Sequence, residues 1–195
     1  MNPQLKAEFG RGLLAAWLTA KGDPRGALLI SGSFSECKRS FFAALVALPG
    51  MLALISFKLD GQEIDTVRYL VVEMISYVMG WAAFPLVAFG ISRQTGRFQY
   101  WARYVTAYNW ASVIILAVTI PVTLLVNAPG ISGGLGGTIG IMTLVVIIGY
   151  EWRLARLVLM ASPMQAGFLT ALDLLLSFAI DSMSQQLARG GGFIG

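Results

Sequence analysis

Five apolar stretches divide the chain, each close to the roughly 20 residues that a helix needs to cross a bilayer core. They run from Ser40 to Phe57, Tyr69 to Ile91, Tyr104 to Val126, Ile131 to Tyr150 and Met164 to Ile180. The pattern predicts an all-α integral membrane bundle of five transmembrane helices. Two start signals support the limits. Ser33 and Glu36 form an S-x-x-E capping box before the first span. Ser162, Pro163 and Gln165 supply a cap, a proline at the first helical position and a glutamine at the third, before the fifth span. Between them, the run Leu157 to Ala161 is expected to continue the fourth helix past Arg156.

The residues ahead of the first span follow another rhythm. Phe9, Leu13 and Trp17, with Leu14 and Leu18, recur at spacings of four, and Lys6, Glu8, Arg11 and Lys21 lie largely on the other side. This predicts an N-terminal interfacial amphipathic helix, lying flat on a leaflet. Asp23 and Pro24 then suit the start of a second short helix through Ile30. The expected division is an interfacial segment over 1–32, a membrane domain over 33–184 and a flexible tail over 185–195, with Gly190 to Gly192 inside it.

Charge sets the orientation. With the N-terminus in the cytoplasm, eleven of the 14 Lys and Arg fall on the cytoplasmic side. They are Lys6, Arg11, Lys21, Arg25, Lys38, Arg39, Arg93, Arg97, Arg103, Arg153 and Arg156. Lys58, Arg68 and Arg189 fall outside, as do the acids Asp60, Glu63 and Asp65 of the first external loop. Four or six spans would break this alternation near the C-terminus. The expected setting is the cell inner membrane, with the C-terminus external.

Composition agrees with a lipid solvent. The 195 residues are 56% hydrophobic and 12% charged, against about 25% charged in soluble domains. The net charge of +4 does not imply nucleic acid, because the basic residues sit at the ends of apolar runs. There is no histidine and one cysteine, Cys37, beside Lys38 and Arg39. A metal centre, a disulfide and the usual catalytic constellations are therefore not expected, nor is a cofactor, and the chain reads as a non-enzyme. Met1 to Arg11 does not read as a signal peptide, since Glu8 interrupts it.

Polar groups inside the spans are the candidate chemistry. Asp173 lies mid-span among leucines, Glu73 in the outer part of span two and Asn109 in the inner third of span three. An aspartate at a helix centre costs about 3 kcal/mol to insert, and the eight Leu, Ile and Phe of span five return roughly 4 kcal/mol. Asp173 is thus expected to be protonated or partnered, with Asn109, Ser112, Thr119, Ser76, Tyr77, Thr138 and Thr143 as neutral partners in reach. Pro49, Pro85 and Pro121 each interrupt one of the first three spans. Gly133 with Gly137, and Gly136 with Gly140, give two small-xxx-small faces for close helix contact within the protein or between copies.

The stretches Gly22-Asp23-Pro24-Arg25-Gly26, Arg39-Ser40-Phe41-Phe42, Trp81-Ala82-Ala83-Phe84-Pro85-Leu86 and Tyr104 to Trp110 resemble small inner-membrane proteins widespread in alphaproteobacteria. The five-span plan is also similar in topology to Yip1-type membrane proteins. The resemblance covers Gly22 to about Val126. It marks Trp81, Phe84, Pro85, Tyr108, Asn109 and Trp110 as family positions, and implies that two spans bring aromatic and polar groups together near the cytoplasmic half. It brings no catalytic residue.

The sequence favours a bundle that organises other membrane components, with lipids, further copies or other membrane proteins as partners. The alternative is a small proton- or cation-coupled transporter using Asp173, with Asn109 or Glu73 along the route. An odd number of spans with no visible inverted repeat suits alternating access poorly.

Overall fold

The computed structural model describes residues 3–59 and 65–188. All regular structure among them is helical: α1 Pro3–Ala20, α2 Arg25–Leu28, α3 Phe34–Ser40, α4 Phe42–Leu59, α5 Thr66–Gln94, α6 Phe98–Val126, α7 Gly133–Leu157 and α8 Pro163–Ala188. Five spans are long and apolar enough to cross a membrane, α3 with α4 counting as one from Phe34 to Phe57. The chain is a multi-pass helical membrane protein.

Local chemistry explains the helix ends. The Asp65 carboxylate accepts from the backbone N–H groups of Val67 and Arg68 at 3.0 and 3.1 Å, starting α5. Ser132 caps α7 through Leu135 N–H. Ser162 and Gln165 form the reciprocal box, with Gln165 N–H to Ser162 Oγ at 3.2 Å and Ser162 N–H to Gln165 Oε1 at 2.9 Å. The first box closes only halfway. Ser33 caps Glu36 N–H, but the Glu36 carboxylate turns back to Ser31 N–H at 2.8 Å. Between α5 and α6, Gly96 has φ +68°, a left-handed turn that a Cβ would strain.

The helices run past the apolar stretches on several sides. α6 begins six residues before Tyr104, and α8 continues to Ala188, into the expected tail. Asp60, Glu63, Arg189 and Gly190 to Gly192 lie outside the described residues. One expectation fails at the α7–α8 turn. The fourth helix ends at Leu157 and does not continue to Ala161; Met160 takes φ +57°. Arginines satisfy the carbonyls that this break frees. Arg97 donates to Met160 O, and Arg156 donates to Ala161 O at 2.7 Å.

The packed core sits at the end of the bundle that carries these arginines, here termed the basic end. α6 is the hub, touching α1, α3, α4, α5 and α7. Its buried residues, Tyr104 to Ala107 and Asn109 to Ala111, all belong to its first half. Farther along, large apolar side chains such as Ile141, Val145 and Val146 are exposed. Lipid is the natural cover for them, because contact between helices brings no hydrophobic gain in a bilayer. A smaller cluster of Met51, Ile55, Tyr69 and Ala188 closes the opposite end.

α1 thickens the basic end. Its inward face is small: Gly12, Ala15, Ala16 and Thr19 are buried, while Leu14 and Trp17 stay outward, Trp17 at 51% exposure. Phe9 meets the Trp110 ring edge-on at 5.2 Å. Tyr150 donates to Ala16 O at 2.8 Å, and Arg153 to Ala20 O at 3.2 Å. Glu8 departs from the expected polar face. It is 7% exposed and accepts two bonds from Arg39, each 2.7 Å. A short helix pressed against charged span ends stabilises an acid on its inner side. In the α1–α2 connection, the Arg25 guanidinium reaches Asp23 at 2.6 Å and holds that carboxyl below its usual range.

Candidate functional site

α8 presents Ala166, Leu169, Thr170 and Asp173 as one buried face, spaced by three and four residues. Asp173 is 4% exposed. The Tyr108 hydroxyl, from α6, points at both of its carboxyl oxygens, 3.0 Å from each. The Glu151 carboxyl, from α7, lies close enough to Asp173 for the two acids to interact. Two carboxyl groups hydrogen-bond to each other only when one of them carries a proton, since an ionised carboxylate accepts and cannot donate. The arrangement brings two acids together between α7 and α8, with a phenol from α6 as a donor to Asp173.

Aromatic rings wall this pair. Phe84 of α5 lies 4.7 Å from the Tyr108 ring and 6.2 Å from Tyr104, whose ring is 6.4 Å from Tyr108. Four spans thus contribute to one small polar centre. Among the described residues neither acid belongs to an ion pair. Of the three buried side-chain oxygens without a hydrogen-bond partner among the described residues, two lie here: Glu151 Oε2 and, one turn before Asp173, Thr170 Oγ1. No group of three or more acid, thiol or imidazole side chains gathers among the described residues. The donor set is suited to a proton better than to a multivalent cation, which wants several oxygens at once.

The three polar candidates from the spans do not form one site. Asn109 donates to Ser40 Oγ at 2.8 Å, tying α6 to α3, and its Oδ1 is buried without a partner. Its neighbour Trp110 packs under Phe9 and Gly12. Glu73 accepts from Ser184 Oγ at 3.1 Å. Ser184 lies eleven residues beyond Asp173 on α8, about 16 Å along the axis. Six of the seven neutral partners expected for Asp173, all but Ser76, are occupied elsewhere, Asn109 with Ser40. Ser112, Thr119, Thr138 and Thr143 each donate to a carbonyl four residues back on their own helix. Tyr77 donates to Ala44 O.

The remaining candidates are placed as follows. Trp81 is partly buried against the Tyr77 ring, and Pro85 is buried with its carbonyl accepting from Trp101 Nε1 at 3.1 Å. Phe84 and Tyr108 meet at the acid pair. Of the glycines, Gly136 packs against Val126 at the α6–α7 turn, whereas a Cβ at Gly133, Gly137 or Gly140 would meet nothing within 4 Å.

Sequence reasoning passed over Glu151, Tyr104 and Thr170. Glu151 lies one residue beyond the apolar stretch that ends at Tyr150. Hairpin arithmetic is the signal that finds it. Glu151 precedes the end of α7 by six residues and Asp173 follows the start of α8 by ten, so their depths differ by about 6 Å, within reach of two acidic side chains.

No known protein family, curated protein or solved structure matches this chain.

Proposed function

We propose that this chain is a small proton-coupled membrane protein in which Glu151 and Asp173 hold one exchangeable proton. The observation that carries this reading is the buried Asp173 carboxyl on α8, held by the Tyr108 hydroxyl 3.0 Å from both of its oxygens, with the Glu151 acid of α7 beside it. Intramembrane acids that face the bundle interior mark ion and proton routes. Losing the shared proton leaves two negative charges in contact. Their repulsion pushes α7 from α8, so protonation state and helix packing are linked. That linkage is the element a proton-coupled carrier needs. This reading takes the orientation that the distribution of basic residues favours, in which the pair lies toward the cytoplasmic half of the membrane.

The test uses the full chain in liposomes with a pH dye trapped inside and an imposed proton gradient. Wild type is expected to carry protons, and Asp173→Asn, correctly folded, to carry few or none. Equal flux through both proteins would overturn the reading.

A second reading, an organising bundle of Yip1-type topology, is favoured by one observation. Gly133, Gly137 and Gly140 leave an open small-residue face on α7, the kind of surface on which a further helix approaches closely. Cysteine crosslinking from Gly137 to a second copy or another membrane protein tests it.

A further inference from the structure

A groove of about 340 Å³ runs between α1, α6 and α7, away from the acid pair. Its walls are apolar: Trp17 and Ala20 from α1, Ile114 and Val118 from α6, Met142 and Val146 from α7. Arg153 closes its basic end. One guanidinium nitrogen, Nη1, donates to Ala20 O, which leaves N–H donors on the other two. Lys21 follows Ala20 directly, and its ammonium lies 4.7 Å from the centroid of the Trp17 ring, so a second cation rests against a ring that lines the groove. Neither cation is in an ion pair among the described residues. The nearby acids are engaged: Glu8 with Arg39, Asp23 with Arg25 and Glu151 with Asp173.

The dimensions identify the occupant. Met142 and Arg153 are eleven residues apart on α7, about 16 Å of helix. Half of a hydrocarbon core is about 15 Å. The groove therefore has the length of one leaflet, with apolar walls along it and two cations where headgroups lie. We propose that it is a binding site for an anionic phospholipid, one acyl chain lying between α1 and α7 and the phosphate meeting Arg153 and Lys21. Basic pockets between membrane helices recognise acidic headgroups in this way. None of Tyr108, Glu151 and Asp173 lines the groove.

The experiment is native mass spectrometry of the purified full chain with phosphatidylglycerol or phosphatidylcholine of identical chains. Wild type is expected to retain phosphatidylglycerol about tenfold or more over phosphatidylcholine, because two cations face a headgroup of net negative charge in the first and a phosphate already neutralised by choline in the second. The double variant Lys21→Gln with Arg153→Gln should bring that ratio near one, and Arg153→Lys, which keeps the charge, should preserve it. Val146→Trp, which fills the groove, should lower retention of both lipids. Inorganic phosphate should not displace the bound phosphatidylglycerol, since it lacks the chain. Should the double variant fail to fold, quenching of wild-type Trp17 fluorescence by brominated chains decides, with Trp17→Phe supplying the background of the other tryptophans. Equal retention of the two lipids, a preference unchanged in the double variant, binding unaffected by Val146→Trp, or no difference in quenching between the two headgroups would overturn the proposal.

Discussion

The Tyr108 hydroxyl sits 3.0 Å from each carboxyl oxygen of Asp173, so a residue of α6 steers an acid of α8 that already touches Glu151 of α7. A phenol placed symmetrically over a carboxyl group favours one position of that group. Replacing Tyr108 by Phe keeps the ring against Phe84 and removes the donor. The expected loss is about 1 kcal/mol, within the range for side-chain hydrogen bonds between membrane helices. Thermal unfolding in detergent, compared with a Phe84→Leu control that spares the hydroxyl, measures it.

The Glu8–Arg39 pair fastens α1 to the start of the first span. Its side chains are 8% and 36% exposed. Breaking a fully buried pair costs about 3–5 kcal/mol; the wet side of Arg39 lowers the expected cost of Glu8→Ala to about 2 kcal/mol. The double variant Glu8→Gln with Arg39→Gln should recover part of it, because no charge is stranded. Unfolding midpoints of the single and double variants supply the comparison.

Gly12 and Gly10 make an internal contrast. A Cβ at Gly12 would fall 2.3 Å from the Trp110 indole, whereas one at Gly10 would meet nothing within 4 Å. Gly12→Ala should therefore lift α1 from α6 at a cost of about 1–3 kcal/mol, with a red shift in tryptophan emission. Gly10→Ala should stabilise by roughly 0.5–1 kcal/mol, as alanine does in a helix interior.

The five spans could be read from sequence because length and apolarity alone decide which segments enter lipid. Asp173 was legible for the same reason: a lone acid among leucines must find a partner. Its partners were not. Tyr108 stood out as an aromatic position and not as a donor, and Glu151 fell just beyond an apolar stretch, although α7 continues to Leu157. Helix ends in the interface depend on tertiary partners that periodicity does not encode. The break after Leu157 illustrates this, since Arg97 from another helix takes the Met160 carbonyl. The Ser162–Gln165 cap, a local matter of four residues, was legible in full. The inward side of α1 was misjudged at Glu8 because Ala15, Ala16 and Thr19, and not Leu14 or Trp17, are the residues buried in the bundle with it.

The central claim is that Glu151 and Asp173 share a proton. Infrared spectroscopy of the carboxyl stretch measures this directly, in wild type, Asp173→Asn and Glu151→Gln, each across neutral pH. Wild type should show a protonated-carboxyl band at neutral pH that shifts on deuteration and is lost or displaced in both variants. A wild-type spectrum with all carboxyls ionised at neutral pH, or a band unchanged in both variants, would contradict the account.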